Sequence, residues 1–220
     1  GAWRLCWQGA DHPLPVALPG AFNAWNFAAG ALLAHAGGVA LSTALARLAD
    51  CPSISGRLEK LADSPATYVD YAHTPDALAA VLHGLRGEFP ARRLVCVFGC
   101  GGDRDRSKRA PMGRAALIAD VAIVTTDNAR SENPRAIVDD VIAEQDSSLI
   151  VAEGGTATAG AQLIIELDRA RAIKLGRQLA GVDGVVVVAG KGHETTQTIG
   201  SEVLPFDDRI EAKKALNSAS

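Results

Sequence analysis

What this sequence lacks narrows its chemistry before any motif is read. It has no basic surplus: 22 Lys and Arg stand against 25 Asp and Glu, a formal charge of -3 with a pI near 6.0. Nothing is therefore left over to neutralise a phosphate backbone or an anionic membrane, and nucleic acid is not an expected partner. Its four cysteines, Cys6, Cys51, Cys96 and Cys100, form neither a CxxC pair nor metal-ligand spacing with the five histidines. That pattern predicts reduced, buried thiols and no metal centre within these residues. No apolar run reaches membrane-spanning length; the longest candidate, residues 24–36, contains Asn26 and His35 and is only helix-sized. The first 19 residues carry Arg4, Asp11 and three prolines where a secretory signal would be apolar, so the cytosol is the expected compartment, without membrane insertion. The P-loop is missing too: Gly190-Lys191-Gly192 has neither the Ser or Thr after the lysine nor the earlier glycine, and Gly99-Cys-Gly-Gly does not meet the dinucleotide fingerprint.

What is present is globular. Hydrophobic residues make up 48% of 220, enough for one good-sized domain, or for one plus a remnant of another. Residues 24–36 and 39–50 read as two helices, the first closed by Gly37-Gly38 and the second stopped by Cys51-Pro52. The Pro, Ser and Gly content of Cys51 to Gly56 reads as a linker, which places a boundary between residues 1–52 and 53–220. Beyond it, short apolar segments at 67–71, 94–98, 121–126, 163–167 and 185–189 alternate with helical ones, several opened by a cap such as Thr74-Pro75, Asn133-Pro134 or Asp168. This alternation predicts an α/β fold, a Rossmann-like mostly parallel sheet flanked by helices, preceded by a helical remnant. A hairpin is expected around Gly200-Ser201, and residues 147–162 read as an irregular loop.

Three loops that follow expected strands concentrate the unusual polar residues: Gly99 to Arg109, Asp127 to Pro134, and Gly190 to Glu194. Ligands of open α/β sheets gather at the carboxyl ends of the strands, so these loops should lie side by side. The first, with glycines, arginines and aspartates, suits an anionic ligand; a solvated basic loop is the plain alternative. Asp70-Tyr-Ala-His73 sets a carboxylate and an imidazole at a strand-to-helix turn, where a cap with a partly buried histidine is the alternative.

Taken in order, Asp70-Tyr-Ala-His-Thr-Pro-Asp-Ala-Leu78, Gly99-Cys-Gly-Gly-Asp-Arg-Asp105, Asp127-Asn-Ala-Arg130 and Gly190-Lys-Gly-His-Glu194 resemble the signature of the Mur ligases, in particular the MurE-type tripeptide synthetases. Phe22-Asn-Ala-Trp-Asn26 and Gly56-Arg57-Leu-Glu59 resemble the end of that family's central ATPase domain and the hinge to its last domain. The resemblance implies an ATP- and Mg2+-dependent ligase that joins meso-diaminopimelate to a UDP-linked muramoyl dipeptide through an acyl phosphate, with the P-loop, Mg2+ ligands and UDP-binding domain upstream of these residues. It implies that residues 1–52 end the central ATP-binding domain and residues 53–220 form the amino-acid-binding domain. Asn26, Arg57, Asp70 and His73 would face ATP, with Arg57 and His73 in catalytic contact; Arg104, Asn128, Arg130, Gly190 and Glu194 would hold diaminopimelate. A monomer acting on small molecules is expected, inactive as these residues alone. One departure is Ala129, where the family usually has a proline, which removes a fixed φ from the loop carrying Arg130. A non-catalytic amino-acid-binding module and an L-lysine-adding ligase of the same family are the alternatives; a folate or cyanophycin ligase is disfavoured by the Asp-Asn-Ala-Arg loop.

Overall fold

A computed structural model describes residues 3–16, 18–155 and 162–217. The chain divides into two compact units, Gly1–Ser53 and Ile54–Ser220.

The first unit contains an antiparallel hairpin, β1 (Trp3–Trp7) and β2 (Ala10–Leu14), and two helices, α1 (Ala21–Ala36) and α2 (Leu41–Ala49). Its core is small: Leu14, Ala24, Ala31, Leu41, Ala44 and Leu45, with Leu5 and Trp7 packed against them. The two helices lie where the sequence pattern sets them. The hairpin was not expected from the sequence, because Pro13 inside β2 weakens the strand pattern; it turns at Gln8-Gly9, both at positive φ.

The second unit holds a seven-stranded sheet in the order β3 (Glu59–Asp63), β4 (Ala66–Asp70), β9 (Val185–Ala189), β5 (Leu94–Cys100), β6 (Val121–Thr126), β8 (Gln162–Ile165), β7 (Ile150–Val151). All pairs are parallel except β3 with β4. Period-two alternation sends Val95, Val97, Ile123 and Val188 to one face, where they pack with α6 (Arg169–Ala180) and α7 (Asp208–Asn217). α3 (Pro75–Glu88), α4 (Arg109–Ala116) and α5 (Pro134–Ile142) cover the other face, contributing Leu78, Leu82, Met112 and Val138 to the core. This is the α/β sheet the alternation predicts. The strands are near-continuous apolar runs because both faces are covered. A hairpin, β10 (Thr196–Ile199) and β11 (Glu202–Pro205), follows β9.

Three sequence expectations are refined. α4 begins at Arg109 after a 3-10 turn over Arg106–Lys108, two residues before Pro111, because Asp105 caps that turn through Ser107. The irregular loop contains a 3-10 turn, Ser147–Leu149, and the short edge strand β7; residues 156–161 lie outside the described residues. The buried-thiol expectation fails for Cys6 and Cys51, which are exposed, and holds for Cys96 and Cys100 on β5. Among the described residues no helix is long and apolar enough to cross a membrane.

Candidate functional site

β4, β9, β5 and β6 are neighbours in the sheet although β9 comes last in the chain, and β9 enters between β4 and β5. The strand order reverses there, the kind of crevice in which open α/β sheets bind ligands. The carboxyl ends of these four strands surround a cleft of about 300 Å3 lined by Tyr71, His73, Gly99, Cys100, Gly101, Arg104, Lys108, Asp127, Asn128, Arg130, Gly190 and Glu194. The three loops singled out in the sequence do lie side by side, and the turn after β4 joins them.

The loops are stitched main chain to main chain. Gly102 N donates to Asn128 O at 2.8 Å, Arg130 N to Thr198 O at 3.1 Å, and Gly200 N to Arg130 O at 2.7 Å. A Cβ at Gly102 would land on the Ala129 carbonyl, so only glycine permits this approach. The loop around Ala129 therefore keeps its shape through hydrogen bonds on both flanks, without the proline. Asp103 accepts from Ser131 N and Oγ, and Glu132 accepts from Asp103 N at 2.7 Å. Glu132 also pairs with Arg106 and with the buried Arg109, whose guanidinium holds it down to about 2, the amide of Asp103 adding to the effect.

Those pairs leave Arg130 without a carboxylate. The plain alternative for this residue, a surface arginine pairing with Glu132 or Asp127, is not what the structure shows. Arg130 Nη1 donates to Gly102 O at 2.7 Å and, more weakly, to Asn128 O at 3.4 Å. Among the described residues no acid lies within ion-pair distance of it. Its backbone sits at φ 51, a left-handed position that costs a non-glycine residue energy and is maintained by the flanking hydrogen bonds. Arg104, exposed on the facing loop, likewise has no ion pair among the described residues. Two guanidiniums border the cleft with donors to spare.

Opposite charge comes from Glu194. Its Oε2 accepts from Asn128 Nδ2 at 2.8 Å and from Lys191 Nζ at 3.2 Å, while Oε1 has no partner among the described residues. Asn128 Oδ1 accepts from Thr198 N at 2.9 Å, which fixes which way the amide faces. Gly190, at φ 114, brings the chain close to Asp127, and a Cβ there would stand 2.8 Å from Asp127 Oδ2. Beneath it Arg169, at the first turn of α6, bonds Asp208 of α7 through two N–H groups at 2.7 and 2.8 Å and donates to Ala189 O at 2.9 Å.

The turn after β4 forms a second patch. The Arg57 guanidinium lies 4.7 Å over the Tyr71 ring, and His73 and His193 approach the same ring at 4.6 and 5.2 Å. His73 Nδ1 donates to Tyr71 O at 2.7 Å, because a carbonyl only accepts, and Nε2 is the ring nitrogen left for a ligand. Arg57 is exposed and makes no ion pair among the described residues, and Lys108 Nζ donates to His73 O. Asp70 does not line the cleft. It is buried, with Oδ2 accepting from Leu58 N and Oδ1 from Ala72 N, each at 2.7 Å. Burial pushes its carboxyl above the usual range, although both amides and Arg57 oppose that. It thus braces the segment that presents Arg57. Asn26 is an exposed residue of α1 in the N-terminal unit.

Six of the nine residues expected at the site thus share one cleft: His73, Arg104, Asn128, Arg130, Gly190 and Glu194. Arg57 joins it through Tyr71. Sequence reasoning missed Tyr71, Lys108 and Lys191 as contributors, although all three stand inside motifs that were noticed. Among the described residues no group of three or more His, Cys, Asp or Glu is placed to hold a metal ion.

Comparison with known proteins agrees with the resemblance. Residues 56–192 match the family model described as "Mur ligase, glutamate ligase domain". The chain is 44% identical over 211 residues to a Prochlorococcus marinus protein named UDP-N-acetylmuramoyl-L-alanyl-D-glutamate--2,6-diaminopimelate ligase, covering 93% of this chain and 39% of that protein. It is 48% identical over 177 residues to a Coxiella burnetii protein of the same name, covering 79% of this chain and 33% of the other. A solved structure of a ligase so named superposes with a TM-score of 0.69 at 35% identity, over 99% of this chain and 42% of that one. The chain spans about 40% of the length of the relatives it matches. With the family model covering most of its length and the fold and ordered motifs in agreement, the chain belongs to the Mur ligase family.

Proposed function

We propose that these residues are the amino-acid-binding part, with an adjoining piece of the ATP-binding part, of a cytosolic ATP-dependent ligase that adds meso-diaminopimelate to UDP-N-acetylmuramoyl-L-Ala-D-Glu in peptidoglycan synthesis. The observation that carries this reading is the charge layout of the cleft. Two guanidiniums without acid partners and a carboxylate with one oxygen unpartnered among the described residues line one cleft of about 300 Å3. An amino acid with a carboxylate at each end suits that layout. Arg130 takes one carboxylate by a two-pronged contact, Arg104 assists, and Glu194 with Asn128 takes an ammonium.

Mur ligases use ATP and Mg2+. The sugar-linked carboxylate attacks the terminal phosphorus of ATP, giving an acyl phosphate and ADP; the free amine of the amino acid then attacks the acyl carbon, expelling phosphate and losing a proton as the amide forms. Mg2+ would neutralise phosphate charge during the first step. The described residues offer it no ligand cluster. These residues contribute position: the cleft holds the amino acid with one amine presented, which removes much of the entropic part of the barrier. Arg57 supplies a cation for the phosphates, held at its place by the Tyr71 ring and, through Leu58, by Asp70. His73 offers Nε2 to the nucleotide. These residues contain no P-loop fingerprint, so alone they are expected to turn over no ATP.

The test is amide formation by the complete ligase, followed with meso-diaminopimelate, L-lysine and L-glutamate as acceptors. Strong preference for diaminopimelate is expected. Equal use of lysine would remove the two-carboxylate reading while leaving the ligase reading intact; absence of ADP release with any acceptor would remove both.

A further inference from the structure

Lys191 has no part in the chemistry derived above, and its environment is unusual. Its side chain is 0% exposed, and its ammonium donates to Glu194 Oε2 at 3.2 Å and Asn128 Oδ1 at 3.3 Å, with Asp127 Oδ1 at ion-pair distance, 3.9 Å. A buried ammonium is costly unless it is paired and its hydrogens are used. Two of its three N–H groups are hydrogen-bonded and the Asp127 carboxylate stands at ion-pair distance, while the enclosed side chain is not part of the cleft lining. The glycines either side, at φ 114 and φ 55, give the loop the curl that turns Lys191 inward while Glu194 stays at the cleft, and Glu194 N donates to Lys191 O at 2.9 Å.

We propose that Lys191 is a positioning residue for the incoming amino acid, which it never touches. It ties Glu194 and Asn128 into one rigid acceptor and donor unit. With Oε2 of Glu194 occupied by Lys191 and Asn128, Oε1 is the oxygen left to receive the substrate ammonium. With Oδ1 of Asn128 occupied by Lys191 and Thr198, the amide can turn only its nitrogen toward Glu194 and the cleft. Removing the ammonium frees both groups: the carboxylate gains a rotamer choice, and Asp127 loses the cation beside it. Binding of the amino acid then pays for reordering that the wild type has already completed.

This inference rests on the amino-acid reading of the cleft, whichever amino acid the enzyme accepts. The wild-type ligase is first assayed to find its acceptor, so failure of the diaminopimelate reading is seen before any variant is made. With that acceptor, Lys191→Met is expected to raise KM for the amino acid at least tenfold, with KM for ATP changed less than twofold and kcat at saturation changed less than threefold. A general loss of folding would instead lower the active fraction and leave both KM values alone. Glu194→Gln is the partner variant. The double variant Lys191→Met with Glu194→Gln removes both charges of the pair, which is better tolerated than removing one, and it is expected to show the same amino-acid KM as Glu194→Gln alone. If Lys191→Met cannot be purified folded, the comparison of the double variant with Glu194→Gln decides the matter. The proposal is overturned by an amino-acid KM within twofold of wild type in Lys191→Met, by an equal rise in KM for ATP, or by a further fivefold rise in the double variant over Glu194→Gln.

Discussion

Arg130→Ala in the complete ligase isolates the contribution of one side chain to the choice of amino acid. Arg130 is half-buried, its Nη1 is spent on Gly102 O at 2.7 Å, and no acid satisfies the rest of the guanidinium among the described residues. A far-end carboxylate can take two charge-assisted hydrogen bonds from it, each worth about 1.5–3 kcal/mol when well formed. Solvent at a half-buried site reduces this, so about 3–4 kcal/mol is the working figure for the pair; at 1.36 kcal/mol per decade this is roughly a 10²- to 10³-fold loss of kcat/KM for diaminopimelate. L-lysine has no such carboxylate and brings an ammonium to the same place, so its kcat/KM should stay level or rise slightly in the variant. The backbone term cancels, because alanine at φ 51 bears the same left-handed strain as arginine. Lysine at position 130 should recover only a minor part, since a point charge lacks the planar fork. The assay is kcat/KM for both acceptors in the wild type, Arg130→Ala and Arg130→Lys. A ratio between the two acceptors that does not move in Arg130→Ala would refute the reasoning.

Three further outcomes are expected. Asp70→Ala should lower the denaturation midpoint by an amount equivalent to roughly 2–6 kcal/mol, because two buried amides, Leu58 N and Ala72 N, lose their acceptor at about 1–3 kcal/mol each; in the ligase it should also raise KM for ATP through Arg57, and an unchanged midpoint would show that water replaces the carboxylate. Under native conditions a thiol reagent should label Cys6 and Cys51 and spare Cys96 and Cys100, since burial pushes the last two thiols up to about 12, with all four labelling after denaturation; fast native labelling of Cys100 would mean that the cleft opens further than the structure shows. Glu132 is depressed in the folded state to about 2, so the stability it contributes is present above its unfolded value, near 4.5, and disappears as pH falls toward 2. Urea midpoints measured from pH 6 to pH 2 should therefore fall less steeply for Glu132→Gln than for the wild type, and parallel curves would contradict the assignment.

The parts of the fold legible in the sequence are those where local chemistry and burial agree. Asp168 accepts from Arg171 N and opens α6 at Arg169, and β9 is four valines and an alanine, apolar throughout because both its faces are covered. The elements that were missed owe their place to partners distant in sequence. β3 is a short edge strand with charged residues at its ends, recognisable only beside β4. α7 is mostly polar, and the buried Asp208 at its start makes sense only once Arg169 is opposite. The site divides in the same way. That the loops converge follows from strand ends in a parallel sheet, and was readable. That Glu132 belongs to Arg109 and leaves Arg130 free was not, because it depends on a helix and a loop 23 residues apart meeting at 2.8 Å. Tyr71 sat in plain sight between Asp70 and His73, yet a ring reads as core until the cation over it is seen.

The Arg169–Asp208 pair makes the last helix something other than a trimmable tail. Both side chains are wholly enclosed, and the same guanidinium holds the Ala189 carbonyl at the end of β9, immediately before the loop that carries Gly190 and Glu194. Ending the polypeptide ahead of residue 208 would strand that cation in the interior, a change that typically costs about 3–5 kcal/mol, and would loosen the strand end on which the cleft floor rests. Shortened versions made for crystallisation or screening therefore risk a protein that still expresses but presents a deformed cleft.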